Sequence, residues 1–285
     1  MIDVEGLTFT YAGAPSPAIT DLTFDVREGE IFGFLGPSGA GKSTTQNVLI
    51  GLLRGAVGRA RLLGRPVEEW GSELYRSVGV SFESPNHYLK LTARENLEYF
   101  RDLYGDGAEA TDAVLEWVDL LDHAEKRVEA FSKGMKNRLN LARSLLHRPR
   151  LWFLDEPTAG LDPVNAKRVR ELIRGRRDSG VTTFLTTHDM QTVEALCDRV
   201  AFLVDGRIAI IDAPDALRRR YGRREVELTF EAPGAGATRA RFPLDDLARN
   251  ADFHAALARP GLATLHSLEA SLEDVFVQVT GRGLE

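Results

Sequence analysis

The sequence predicts an α/β fold: a mostly parallel sheet with interleaved helices, an antiparallel β section before it, a helical insertion within it and a small α+β appendage after it. Three observations carry this reading. Short apolar runs at 31–35, 151–154, 181–185 and 199–204 alternate with helical patterns, the rhythm of a parallel sheet wound with helices. The first of these runs ends in a glycine-rich loop that opens a helix, a strand–loop–helix unit. Near Arg218 the composition changes abruptly.

A chain of 285 residues with 43% apolar content is long enough and apolar enough for one large packed domain plus a small one. With 42 acidic against 36 basic residues the net charge is -6, so no nucleic-acid partner is expected. Cys197 is the single cysteine, which excludes an intrachain disulfide and is compatible with a reducing compartment. The opening Met-Ile-Asp-Val-Glu lacks the basic, apolar, small-residue order of a secretory leader, so none is expected. Apolar stretches such as 48–53 and 151–154 fall far short of the ~20 residues that cross a bilayer. Work at a membrane would have to pass through a partner.

Taken in order, Ile2, Val4, Leu7, Phe9 and Tyr11, then Leu22, Phe24 and Val26, mostly alternate, the period of half-buried antiparallel strands; a turn at 27–29 closes this section. The run 31–35 is a buried strand, and 43–53 reads as the helix after the loop. From 68 to 147 helical patterns dominate around one short strand at 78–82, with a helical insertion over 84–149. Thr92 and Glu95 form a capping box, in which hydroxyl and carboxylate satisfy free amides at a helix start. Helices are expected at 164–177 and 189–197 between the later strands.

A domain boundary is placed at 220, where Arg218, Arg219, Arg220, Arg223 and Arg224 surround Tyr221 and Gly222. Such a charge run reads first as a solvated linker, with acidic lipid or nucleic acid as alternatives. In the appendage, 221–285, Val226, Leu228 and Phe230 alternate as a strand, 244–258 reads as a helix and 262–268 as another strand. The last helix starts at a capping signature, Ser271 to Asp274, and aligns Leu272, Val275, Phe276 and Val279 on one face.

The loop Gly36-Pro37-Ser38-Gly39-Ala40-Gly41-Lys42-Ser43, followed by Thr44, matches the phosphate-binding pattern G-x-x-x-x-G-K-[ST], in the context its mechanism needs. Glycines let successive amides face phosphate oxygens, and the following helix adds the partial positive charge of its N-terminus. Lys42 is suited to the β- and γ-phosphates and the Ser43 hydroxyl to Mg²⁺. This makes the core a P-loop NTPase core, which binds a nucleoside triphosphate. Asp155 and Glu156 end the apolar run 151–154, where open parallel sheets place their ligands. Asp155 suits a Mg²⁺ shell and Glu156 an attacking water; the weaker alternative is that the two acids cap the helix beyond Pro157.

Phe131-Ser132-Lys133-Gly134-Met135 then heads a helix rich in Arg and Leu, and it resembles the signature of ABC ATPases. Asp155-Glu156-Pro-Thr-Ala-Gly-Leu-Asp162 resembles the family's acidic strand and D-loop, and His188 stands where the family has its histidine. Tyr11 falls where the family stacks an aromatic ring on adenine; alone it reads as a strand residue. The resemblance covers about residues 1–220. It implies a head-to-tail dimer with ATP between Lys42 and Ser43 of one subunit and Ser132 and Gly134 of the other. It further implies that Glu156 is the general base, His188 a γ-phosphate contact and Asp162 part of the nucleotide site.

Two departures are visible. Glu83 stands where the family usually has glutamine; it can still accept from a Mg²⁺-bound water, but it loses the amide donor and adds charge, with a solvated loop acid as the alternative. The signature reads Phe-Ser-Lys-Gly-Met for Leu-Ser-Gly-Gly-Gln: Ser132 and Gly134 keep hydroxyl and open backbone, Lys133 adds a cation and Met135 lacks the amide.

Three functions fit: the ATPase of an exporter, the ATPase of an importer, or a soluble ABC ATPase outside transport. The chain has no second phosphate loop and its insertion lacks sustained heptads, against the third. The tail from Ser271 through Phe276 to Gly281 resembles that of bacterial drug- and antibiotic-export ATPases, as does the stretch from Phe131 to Arg138. Export is therefore expected, powered through a separate integral membrane permease, with this subunit peripheral on the cytoplasmic face of the cell membrane.

Overall fold

The computed structural model describes residues 1–105, 107–221, 225–232, 235–268 and 270–283. Two compact units result, Met1–Ala213 and Pro214–Gly283.

In the first unit, β1 (Ile2–Phe9) and β2 (Ile19–Val26) pair antiparallel, setting Ile2 opposite Val26, Val4 opposite Phe24 and Leu7 opposite Leu22. The apolar alternation thus falls on one buried face. Tyr11 lies just beyond β1 and is not a strand residue. After β3 (Ile31–Leu35) comes α1 (Lys42–Leu49). This helix is shorter than the 43–53 read from the sequence, because Gly51 takes φ +78 and turns the chain away.

Two strands unread in the sequence follow, β4 (Val57–Leu62) and β5 (Arg65–Pro66), completing a four-stranded antiparallel sheet in the order β2-β1-β4-β5. Then come β6 (Val78–Ser81) and the insertion with α2 (Ala93–Tyr104), α3 (Thr111–Trp117) and α4 (Lys133–Leu145). The sheet resumes with β7 (Leu151–Asp155), α5 (Pro163–Asp178), β8 (Thr182–Thr187), α6 (Met190–Leu196), β9 (Arg199–Val204) and β10 (Arg207–Asp212). Its six strands run in the order β10-β9-β3-β8-β7-β6. All neighbours are parallel except β10, which returns antiparallel through Asp205 and Gly206, both at positive φ as a two-residue hairpin requires. Phe24 of β2 meets Phe32, Phe34 and Phe184 at ring-centroid distances of 5.7, 5.2 and 6.1 Å, so one aromatic cluster joins the two sheets.

In the second unit α7 (Pro214–Tyr221) precedes β11 (Glu225–Ala232), β12 (Ala235–Pro243), α8 (Ala251–Leu257), β13 (Leu262–Leu268) and α9 (Leu272–Thr280). The division at Ala213 comes before the boundary read at 220, since α7 packs with α9. Arg218, Arg219 and Arg220 belong to α7, whereas Gly222, Arg223 and Arg224 lie outside the described residues. The three strands form an antiparallel sheet, β12-β11-β13, whose Val226, Leu228 and Phe230 pack on Phe253 and Ala256 of α8. The helix read at 244–258 is broken: Asp246 takes φ 57, and α8 starts only where Asn250 accepts a hydrogen bond from the Phe253 amide at 3.0 Å. The capping box at α9 is present as Ser271 and Asp274.

Candidate functional site

Four parallel strands, β6, β7, β8 and β3, end on the same edge of the large sheet, and the residues that follow them are Glu83, Glu156, His188 and the loop 36–41. The loop is shaped by what it cannot carry. A Cβ on Gly36 would lie 2.2 Å from the Leu203 carbonyl oxygen. Gly41 has φ +104, and its Cβ would lie 2.6 Å from Ile19 Cγ2. The chain can therefore curl tightly enough for Lys42, 8% exposed, to fold back on its own loop. Its Nζ donates to the Gly36 and Pro37 carbonyls at 2.6 and 3.1 Å. Burial pulls this ammonium below its ordinary pKa, while the negative charges of Glu156, Asp155 and Glu83 pull it back up. One electrostatic site thus contains the lysine and all three acids.

Ser43 Oγ donates to Asp155 Oδ2 at 3.2 Å and stands 3.3 Å from Oδ1, which also accepts from Thr186 Oγ1. Glu156 is a non-glycine residue at φ 48, held there by its amide on the Thr186 carbonyl at 2.9 Å. Its Oε2 accepts from Thr187 Oγ1 at 2.9 Å, and its Oε1 lies 2.7 Å from His188 Nδ1, the donor when the carboxylate is ionised. Tyr11 places its hydroxyl 3.0 Å from Thr44 Oγ1, leaving the ring 43% exposed beside the start of α1.

A second group stands apart, joined to the first by no hydrogen bond between its members' side chains among the described residues. Ser132 caps α4, its Oγ accepting from the Met135 amide at 3.2 Å. Gly134 is the second residue of α4, and Asp162 caps α5 by accepting from the Val164 and Asn165 amides, both at 3.1 Å.

The donor set suits a small hard cation: Ser43, Asp155 and Glu83 offer hydroxyl and carboxylate oxygens. Among the described residues no three His, Cys, Asp or Glu side chains form a metal cage by themselves. Mg²⁺ keeps several waters and shares its shell with substrate phosphates, so it needs few protein oxygens. Thr186 and Thr187 were missed in the sequence. Only the structure reveals them: the parallel register sets Thr186 beside Asp155, at the end of the strand that leads into His188.

A parallel sheet whose central strand feeds such a loop and lysine, with acids at the ends of neighbouring strands, defines a P-loop nucleotide-binding protein. The chain belongs to the ABC transporter ATP-binding proteins, and it is an ATP-binding, ATP-hydrolysing subunit of that family: residues 19–159 match the family described as ABC transporter. Residues 224–269 match the family described as fluoroquinolone efflux ABC transporter C-terminal domain. The fluoroquinolones export ATP-binding protein of Mycobacterium tuberculosis is 51% identical over 284 residues, covering 100% of this chain and 94% of that protein. The Nod factor export ATP-binding protein I of Burkholderia orbicola is 36% identical, covering 94% of this chain and 93% of that protein. Among solved structures, a dimeric ATP-binding cassette in a post-hydrolysis state with ADP and Pi superposes with a TM-score of 0.68 at 25% identity, covering 75% of this chain and 98% of that one. No described helix is long and apolar enough to cross a membrane.

Proposed function

We propose that this chain powers efflux of a fluoroquinolone-like antibacterial through a separately encoded membrane permease, acting as a head-to-tail ATP-bound dimer on the inner face of the cell membrane. The observation that carries this is the 51% identity to a fluoroquinolone exporter's ATPase, which runs through the whole chain, including the appendage, whose residues 224–269 match the fluoroquinolone efflux C-terminal domain family.

In this reading the loop amides from Gly36 to Gly41 (through Ser38, Gly39 and Ala40) and the Lys42 ammonium grip the ATP phosphates. Tyr11 and Thr44 line the nucleoside side. Ser132, Gly134 and Asp162 face the nucleotide of the partner subunit. Ser43, Asp155 and Glu83 would hold Mg²⁺, whose charge neutralises phosphate oxygens when bound. Glu156 accepts a hydrogen bond from the attacking water and orients it toward the γ-phosphorus. Donors on both of its oxygens, Thr187 and His188, fix the carboxylate's rotation, so its free lone pairs point one way. His188 then stands within reach of the same phosphate.

Glu156→Gln is expected to keep ATP binding and ATP-driven dimerisation while kcat falls about a hundredfold or more. Steady-state ATPase assays beside nucleotide titration check this; turnover near wild type would place the base elsewhere. Affinity capture from native membranes tests the transport reading. Stoichiometric recovery of a polytopic protein supports it, and recovery of ribosomal or other non-membrane partners alone removes it.

A further inference from the structure

Between Glu156 and Asp162 the chain lies against the first turns of α4 at three places. A Cβ on Gly160 would sit 3.2 Å from Lys133 Nζ, 3.4 Å from its Cε and 3.6 Å from its Cδ, so the lysine stem covers that glycine, which itself takes φ +69. A Cβ on Gly134 would sit 3.2 Å from Leu161 Cδ2. Asn137, only 8% exposed, donates from Nδ2 to the Ala159 carbonyl at 3.3 Å. Further along, Arg138 of α4 and Arg168 of α5 both donate to Asp119 Oδ2.

The segment held in this way is also closed on itself. The Ala159 amide donates to the Glu156 carbonyl at 3.1 Å, and the Leu161 amide to the Thr158 carbonyl at 3.2 Å. A displacement at 159–161 is therefore passed back to Glu156 through two consecutive turns. Among the described residues the Lys133 side chain makes no ion pair or hydrogen bond, so what it contributes to this junction is the packing of its stem.

We propose that Lys133 and Asn137 are positioning residues: they tie the turn bearing Ser132 and Gly134 to the segment 159–161, so that engagement of that turn by nucleotide fixes the backbone carrying Glu156. The proposal rests on Glu156 as general base and on Ser132 and Gly134 as contacts across the dimer. It explains how one chain can report, to its own hydrolytic site, that its signature turn has met the ATP of the partner subunit.

The test uses the full chain and three variants, each alone and on a Glu156→Gln background. Lys133→Ala removes the stem at a position where alanine favours the helix, and Lys133→Met keeps most of the stem without the charge. Asn137→Asp is isosteric but turns a donor toward Ala159 into an acceptor. Each is assayed for steady-state ATP hydrolysis, and each is combined with Glu156→Gln to measure ATP-driven dimerisation by light scattering. Lys133→Ala and Asn137→Asp are expected to lower kcat about tenfold, with KM for ATP within about twofold and dimerisation intact, while Lys133→Met stays within about twofold of wild type. Wild-type kcat in both damaging variants overturns the proposal. So does Lys133→Met falling as far as Lys133→Ala, or a loss of kcat that follows a loss of dimer. Failure of the wild-type chain to hydrolyse ATP, or of Glu156→Gln alone to dimerise with ATP, overturns the underlying reading and is recognised without any change at 133 or 137.

Discussion

Glu156 occupies left-handed backbone, a conformation that costs a non-glycine residue about 1–3 kcal/mol and persists only where neighbours impose it. Here the neighbour is the end of β8, which supplies the Thr186 carbonyl to the backbone and the Thr187 hydroxyl to the side chain. Thr187→Val keeps the shape and removes the donor. It is expected to lower kcat about fivefold by freeing the carboxylate to rotate, with nucleotide affinity unchanged in a binding titration. Lys42, Ser43, Asp155 and His188 were legible in the sequence because their chemistry is written in unusual residues at fixed spacing. Thr186 and Thr187 were not, since a threonine in a strand reads only as β-propensity until the register with β7 is known. Glu83 was legible as a departure, and its charge does act on Lys42.

At the scale of the element, end signals were the readable ones. Both capping boxes, Thr92 with Glu95 and Ser271 with Asp274, close as their sequences imply. Thr92→Ala is expected to cost about 1 kcal/mol, read as a shift of the urea midpoint with an unchanged slope. What escaped was strand after strand with a thin apolar signal. In β4 only Ala60 and Leu62 are buried, among Arg59, Arg61 and Gly58. In β12 the exposed side carries Arg239 and Arg241, ion-paired to Glu227. Such strands exist because neighbouring strands offer hydrogen bonds, a fact no local pattern records. The helix expected at 244–258 failed for the opposite reason: its apolar spacing is real, but Asp246 in left-handed backbone interrupts it.

For the molecule as a whole, acid stability is set in part by His87. Its Nε2–H donates to the Lys136 carbonyl at 2.9 Å, and burial, with Arg143 and Lys136 nearby, pulls the ring down to about 4 from 6.5. The unfolded chain then binds a proton that the folded chain refuses, so this contribution is complete above pH 6.5 and is lost as the pH falls toward 4. Between pH 7.5 and pH 5 wild type is expected to lose about 2 kcal/mol more than His87→Asn, measured by urea unfolding at each pH.

Cys197 ends α6 under the central strand, so close that a Cβ on Gly33 would lie 2.7 Å from its Sγ, and burial pushes its thiol far up. Being the only thiol in the chain, it is a ready-made chemical clock. A thiol reagent can reach it only when β3 and α6 part, so the labelling rate counts openings of the sheet that carries the nucleotide loop, with no probe introduced. ATP at about a hundred times its dissociation constant is expected to slow that clock about a hundredfold, which turns a silent buried sulfur into a direct gauge of nucleotide affinity.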